Sequence, residues 1–73
     1  MKVSYNKLWK LLVDKRMSKA DLRRGADIAP NTMTKLRRDE EVSMNVLLKI
    51  ATYLDCDISE ICEFIREEDQ IIY

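Results

Sequence analysis

Met17-Ser18-Lys19-Ala20-Asp21-Leu22-Arg23-Arg24-Gly25-Ala26-Asp27-Ile28-Ala29-Pro30-Asn31-Thr32-Met33-Thr34-Lys35-Leu36-Arg37-Arg38 contains two short helical patterns separated by only a few residues. Ser18 with Asp21 three positions later has the form of a capping box, in which hydroxyl and carboxylate each accept from the other's backbone amide. Met17 before the cap and Leu22 one turn inside can staple that helix start. The second pattern opens on Pro30, whose missing N–H costs nothing at a first helical position. Within it Met33 and Leu36 share a face with Ile28, pointing toward a core. The spacing predicts helices over 19–26 and 30–38, joined by Asp27-Ile28-Ala29, a length that suits two helices crossing steeply. Such a turn wants a left-handed backbone, and Asp27 stands there, a residue that tolerates it better than most non-glycines. Gly25, two positions earlier, is expected to loosen the helix end.

The same start signal recurs outward along the chain. Val3-Ser4 pairs with Leu8, Ile28-Ala29 with Met33, Val42-Ser43 with Leu47, and Cys56-Asp57 with Ile61; Asp57 with Glu60 repeats the capping-box spacing. Leu8, Leu11 and Leu12 then line a first helix over 5–15, and Leu47, Ile50, Ala51 and Leu54 a fourth over 44–55. Ile58, Ile61, Cys62 and Ile65 predict a fifth over 58–66. No run alternates at period two long enough to announce a sheet. The expected fold is therefore all-α, five short helices forming one domain over residues 1–66, with 67–73 as a tail outside the pattern.

Composition agrees and excludes much. The chain has 73 residues, 47% apolar and 36% charged, with one Gly and one Pro, which suits a small helical domain rather than a disordered one. At this size folding buries only about 60% of the surface of the unfolded chain, so the core must be economical. Apolar runs such as Leu11-Leu12-Val13 fall far short of the ~18 residues a membrane span needs. The first residues carry no signal-peptide pattern, so a cytoplasmic location is expected. Cys56 and Cys62 are the only thiols and there is no His, so no metal site is expected, and the cysteines read as small apolar fillers. Without a nucleophile and base pair or a phosphate-cradling glycine loop, neither catalysis, a cofactor nor a small-molecule ligand is expected.

The formal net charge is zero, yet its distribution is uneven. Residues 1–38 carry eleven Lys or Arg against Asp14, Asp21 and Asp27, a balance of +8; residues 39–73 carry Lys49 and Arg66 against ten acids, a balance of −8. One basic face follows. In the helix from Pro30, Asn31, Thr34, Lys35 and Arg38 stand at i, i+3, i+4 and i+7, an outward stripe of hydrogen-bonding and basic groups without an acid. A major groove about 12 Å wide admits one helix whose side chains donate to or accept from base edges, and this stripe has that character.

Residues 4–65 resemble the phage repressor and Cro family of helix-turn-helix domains. The carriers are Met17-Ser18-Lys19-Ala20-Asp21-Leu22, Ile28-Ala29-Pro30-Asn31-Thr32-Met33-Thr34-Lys35-Leu36, Val42-Ser43-Met44-Asn45-Val46-Leu47-Leu48-Lys49-Ile50-Ala51 and Leu54-Asp55-Cys56-Asp57-Ile58-Ser59-Glu60-Ile61. The resemblance implies a lambda-repressor-like fold and a small transcriptional regulator, expected to be a repressor, that binds double-stranded DNA sequence-specifically. It places Pro30, Asn31, Thr34 and Lys35 at base-reading positions, Lys19 at a DNA-contacting position and Arg38 near phosphates; the full DNA-binding set expected is Ser18, Lys19, Pro30, Asn31, Thr32, Thr34, Lys35, Arg37 and Arg38. Three residues depart from the family: Lys19 where Gln is common, Arg23 where a small Ala usually packs, and Asp27 where Gly is usual. Arg23 is expected to lift its head into solvent along its aliphatic stem. A homodimer on DNA is expected, helped by Ile71, Ile72 and Tyr73. The alternative is a helical protein-interaction or antitoxin-like module using the acidic half, suggested by Asp39-Glu40-Glu41 just after the reading helix, which would repel phosphate if aimed at it. RNA reading finds no stacking surface, because Tyr5, Trp9, Tyr53, Phe64 and Tyr73 are scattered.

Overall fold

Helices form where the caps and stripes put them. The computed structural model describes residues 1–67, with β1 at Lys2–Ser4, α1 at Asn6–Asp14, α2 at Lys19–Gly25, α3 at Pro30–Arg37, α4 at Met44–Leu54, a single 3-10 turn at Ile58–Glu60 and β2 at Glu63–Ile65. The expected dimer residues Ile71, Ile72 and Tyr73 lie outside the described residues. Ser18 and Ser43 accept the amides of Asp21 and Val46 at 3.0 and 3.2 Å and so start α2 and α4. Ala29 caps α3 through its extended backbone alone, with Pro30 in the first position.

Each of the four helices ends in the same way. Arg16, Asp27, Asp39 and Asp55 all take positive φ, between 52° and 56°. At each end an amide reaches back five residues: Met17 to Leu12, Ile28 to Arg23, Glu40 to Lys35 and Cys56 to Ala51, at 2.9–3.0 Å. This left-handed closure satisfies carbonyls that the helix leaves unpaired and turns the chain sharply. Aspartate at three of the four positions does the work usually given to glycine.

Two expectations are corrected. The fold is not all-α, and the described residues form four α-helices rather than five, because the segment expected as a fifth helix over 58–66 makes one 3-10 turn and then pairs as β2 with β1. The pairing is antiparallel, with Lys2 opposite Ile65, Val3 opposite Phe64 and Ser4 opposite Glu63. Glu60 accepts the amide of Asp57 at 3.2 Å, so the capping signal is real, but it opens a single turn. The competing option is the β1 backbone, which offers partners to a segment rich in strand-favouring Phe64 and Ile65. Likewise Ser4 lies in β1 and Tyr5 is the N-cap of α1; the Ser4 hydroxyl still accepts from the amide of Asn6 at 3.3 Å.

The core takes one fully buried side chain from each part: Leu8 of α1, Leu22 of α2, Leu36 of α3, Ile50 of α4 and Ile61 after the 3-10 turn. Tyr5 joins them with only 2% exposed. Its amide donates to Asp39 Oδ1 at 3.1 Å and its hydroxyl to the carbonyl of Glu40 at 2.8 Å, binding the start of α1 to the end of α3. Lys7 reaches the carbonyl of Ser59 and the carboxylate of Glu63 on the other side.

Two substitutions test this architecture by thermal and denaturant melts. Leu36→Ala leaves a cavity at the centre and is expected to cost about 2–5 kcal/mol. Arg16→Gly relieves the least tolerant of the four left-handed positions and is expected to stabilise by about 0.5–1 kcal/mol, after the extra entropy glycine brings to the unfolded chain.

Candidate nucleic-acid interface

The basic face is built on α2 and α3. The first turn of α2 is locked by reciprocal bonds: Ser18 Oγ accepts from Asp21 N–H, and Asp21 Oδ2 accepts from Ser18 N–H, both at 3.0 Å. Asp21 also pairs with Arg24 at 2.9 Å. The amide and hydroxyl bonds from Ser18, with a smaller contribution from Arg24, hold the Asp21 carboxyl below its ordinary range. The hydroxyl of Ser18 is thus engaged in the cap, while Lys19, next to it, is exposed with its Nζ 4.5 Å from the centroid of the Trp9 ring.

From α2 the chain reverses at Asp27, whose carbonyl accepts from Lys49 Nζ at 3.4 Å, and enters α3. Met33 and Leu36 are buried, which turns the opposite side of α3 outward. On that side Asn31 and Lys35 are exposed and Thr34 half-buried; Arg37, one turn after Met33, is exposed on the flank toward α2, and Thr32 is half-buried. Asn31 Oδ1 accepts the amide of Thr32 at 3.0 Å, and its Nδ2 makes no bond among the described residues, which keeps it available as a donor. Thr34 donates to the carbonyl of Pro30 at 3.2 Å and accepts from Arg37 Nη2 at 3.3 Å. Among the described residues Lys35 makes no ion pair. Arg38 lies just past the helix as its C-cap, 4.0 Å from Glu40.

Two of the three acids that follow α3 have partners. Asp39 takes the Tyr5 amide, and Glu40 lies beside Arg38. Sequence reasoning missed the Tyr5 and Trp9 roles, since both join residues far apart in the chain and no local spacing announces them. It also left Arg23 as a departure; the side chain is half-buried and lines a cleft between α2 and α3 with Lys19, Ala20, Pro30, Met33 and Arg37. Cys56 and Cys62 are half-buried free thiols whose pKa values burial pushes up, as suits inert fillers. Among the described residues no helix is long and apolar enough to cross a membrane.

Known proteins match this arrangement. The family model of the Cro/C1-type helix-turn-helix DNA-binding domain matches residues 7–67. The crystal structure of the transcriptional regulator VanUg superposes with a TM-score of 0.88 at 48% identity, covering 90% of this chain and 88% of that one. No curated protein sequence matches.

The capping box gives a pH test. A carboxylate whose pKa is lower in the fold than in the unfolded chain adds stability above its ordinary pKa, and that stability is lost as pH falls through the folded value. Helicity and melting temperature are therefore expected to decline below about pH 4. Asp21→Asn is expected to be less stable at neutral pH and to show a shallower acid decline, measured by circular dichroism melts from pH 7 downward.

Proposed function

The chain belongs to the Cro/C1-type helix-turn-helix DNA-binding family, and we propose that it is a transcriptional repressor that inserts α3 into the major groove. One observation carries this reading: burial of Met33 and Leu36 leaves Asn31 and Lys35 exposed on an α3 face that holds no acid. Asn31 and Lys35 offer donors to base edges, with Asn suited to adenine and Lys to guanine. Pro30 and the Thr32 and Thr34 methyls give shape and apolar contact. Ser18, Lys19, Arg37 and Arg38 flank them as the groups nearest the phosphates. The likeness to a transcriptional regulator over most of both chains supports the regulatory role.

A homodimer on DNA is part of the same proposal. Met1, Met44, Ile58 and Phe64 are exposed around an apolar groove of about 550 Å³ between the sheet and α4, with Lys2 and Glu41 on its lining. A two-fold contact across this face buries those side chains, and Lys2 and Glu41 on the lining offer the opposite charges that an isologous interface can pair. Phe64→Lys, at a side chain 74% exposed, is expected to leave the fold intact and shift sedimentation toward monomer.

Reading and holding should fail differently. Asn31→Ala and Lys35→Ala are expected to cost about 1–3 kcal/mol at the preferred site and to relax preference at one base position. Arg38→Ala is expected to weaken binding on all sequences alike and to reduce the slope of log K against log salt by about one unit from a parent value near −4 to −5. Site selection from random duplexes, with salt titrations of each variant, checks both. An Asn31 variant with the parent's base preferences contradicts the assignment.

A further inference from the structure

The cleft between α2 and α3 holds a concentration of positive charge that the reading helix does not explain. Lys19 and Arg23 come from α2 and Arg37 from α3, around a space of about 200 Å³ floored by Ala20, Pro30 and Met33, and no acid lines it. Of the other basic residues nearby, Arg24 pairs with Asp21, and Arg38 lies past the end of α3 beside Glu40, outside the cleft. Lys19, Arg23 and Arg37 make no ion pair among the described residues. Three cations around one small concavity repel one another, and that cost is repaid when an anion enters. Trp9 adds a further element, since its ring lies under the Lys19 ammonium at 4.5 Å and restrains an otherwise mobile side chain.

We propose that Lys19, Arg23 and Arg37 form a clamp for one backbone phosphate of the DNA duplex, with Trp9 as the positioning residue that holds Lys19 over the cleft. The clamp rests on the DNA-binding reading and adds two residues to it, Arg23 and Trp9. The guanidinium groups of Arg23 and Arg37 supply forked donors, which suit phosphate oxygens, and the Lys19 ammonium supplies a point charge. Ala20, Pro30 and Met33 keep water from one side of the anion and carry no competing acceptor side chain.

The test combines protein variants with DNA in which single backbone phosphates are replaced by neutral methylphosphonates. In the parent, one replacement per half-site is expected to weaken binding several-fold; in Arg23→Gln and in Arg37→Gln that same replacement has no further effect, and each variant's salt slope is smaller by about one unit. Trp9→Leu is expected to weaken binding as a partial Lys19→Met does, and Trp9→Phe, which retains a π face, to restore it. Thermal melts accompany each variant, and Arg37, exposed on the surface, gives the same answer should Arg23→Gln fold poorly. Inorganic phosphate added at constant ionic strength is expected to leave the emission of Trp9, the sole tryptophan, unchanged; a saturable change assigns the cleft to free anions and overturns the clamp. Variants that keep the parent's salt slope and methylphosphonate pattern overturn the clamp while DNA binding stands, and a parent that binds no DNA overturns both.

Discussion

Tyr5 ties together the two ends on which the placement of α3 depends. Its ring is buried in the core, its amide donates to the Asp39 carboxylate and its hydroxyl to the Glu40 carbonyl. Each such bond adds only about 1 kcal/mol net, but a buried hydroxyl or amide left without its partner costs about 1–3. The geometry is therefore enforced by penalty as much as by gain. Asp39 is also the left-handed residue that closes α3, so one residue both ends the reading helix and anchors it to the start of α1. Burial pushes the Tyr5 phenol above its ordinary pKa, which keeps it a donor through the neutral range. Of the three acids Asp39, Glu40 and Glu41 after α3, Asp39 is thereby part of the scaffold.

With that anchor in place, the rest of the interface follows from short-range rules. Ser18 and Asp21 determine where α2 begins; Asp27 turns the chain; Pro30 starts α3 without needing a side-chain cap. Because Leu22, Met33 and Leu36 must face inward, Lys19, Asn31 and Lys35 are left facing out. Lys19, Arg23 and Arg37 gather at the α2–α3 cleft, whereas Asp57 and Glu60 lie at the 3-10 turn and Glu63 in β2; Asp39 and Glu40 stay at the end of α3, bonded to the Tyr5 amide and beside Arg38. Zero net charge thus coexists with a basic binding face.

The helix-turn-helix was legible because its determinants are local. The Ser18 cap, the Asp27 turn, Pro30 and the three- and four-residue apolar steps each act within one or two helical turns, and the structure places them as their spacing implies. The fifth helix failed for the opposite reason. Ile58, Ile61, Cys62 and Ile65 do step at helical intervals, but the decision over 61–65 is made by the backbone of Lys2–Ser4, some sixty residues away in sequence. A three-residue strand is too short to display its two-residue period. Tyr5, Trp9 and Arg23 were opaque for a related reason: their roles lie in contacts with Asp39, Lys19 and the α2–α3 cleft, which exist only once the chain is folded.

In this reading α3, with the opening of α2 beside it, is the surface that meets DNA. Titrating the isotope-labelled chain with a duplex of its preferred sequence and following backbone amide shifts tests this most directly. The largest changes are expected at Lys19, Asn31, Thr32, Thr34, Lys35 and Arg38, with Asp55, Asp57 and Glu63 little affected. Changes concentrated on α4 and the acidic segment after it, with 30–38 undisturbed, would contradict it.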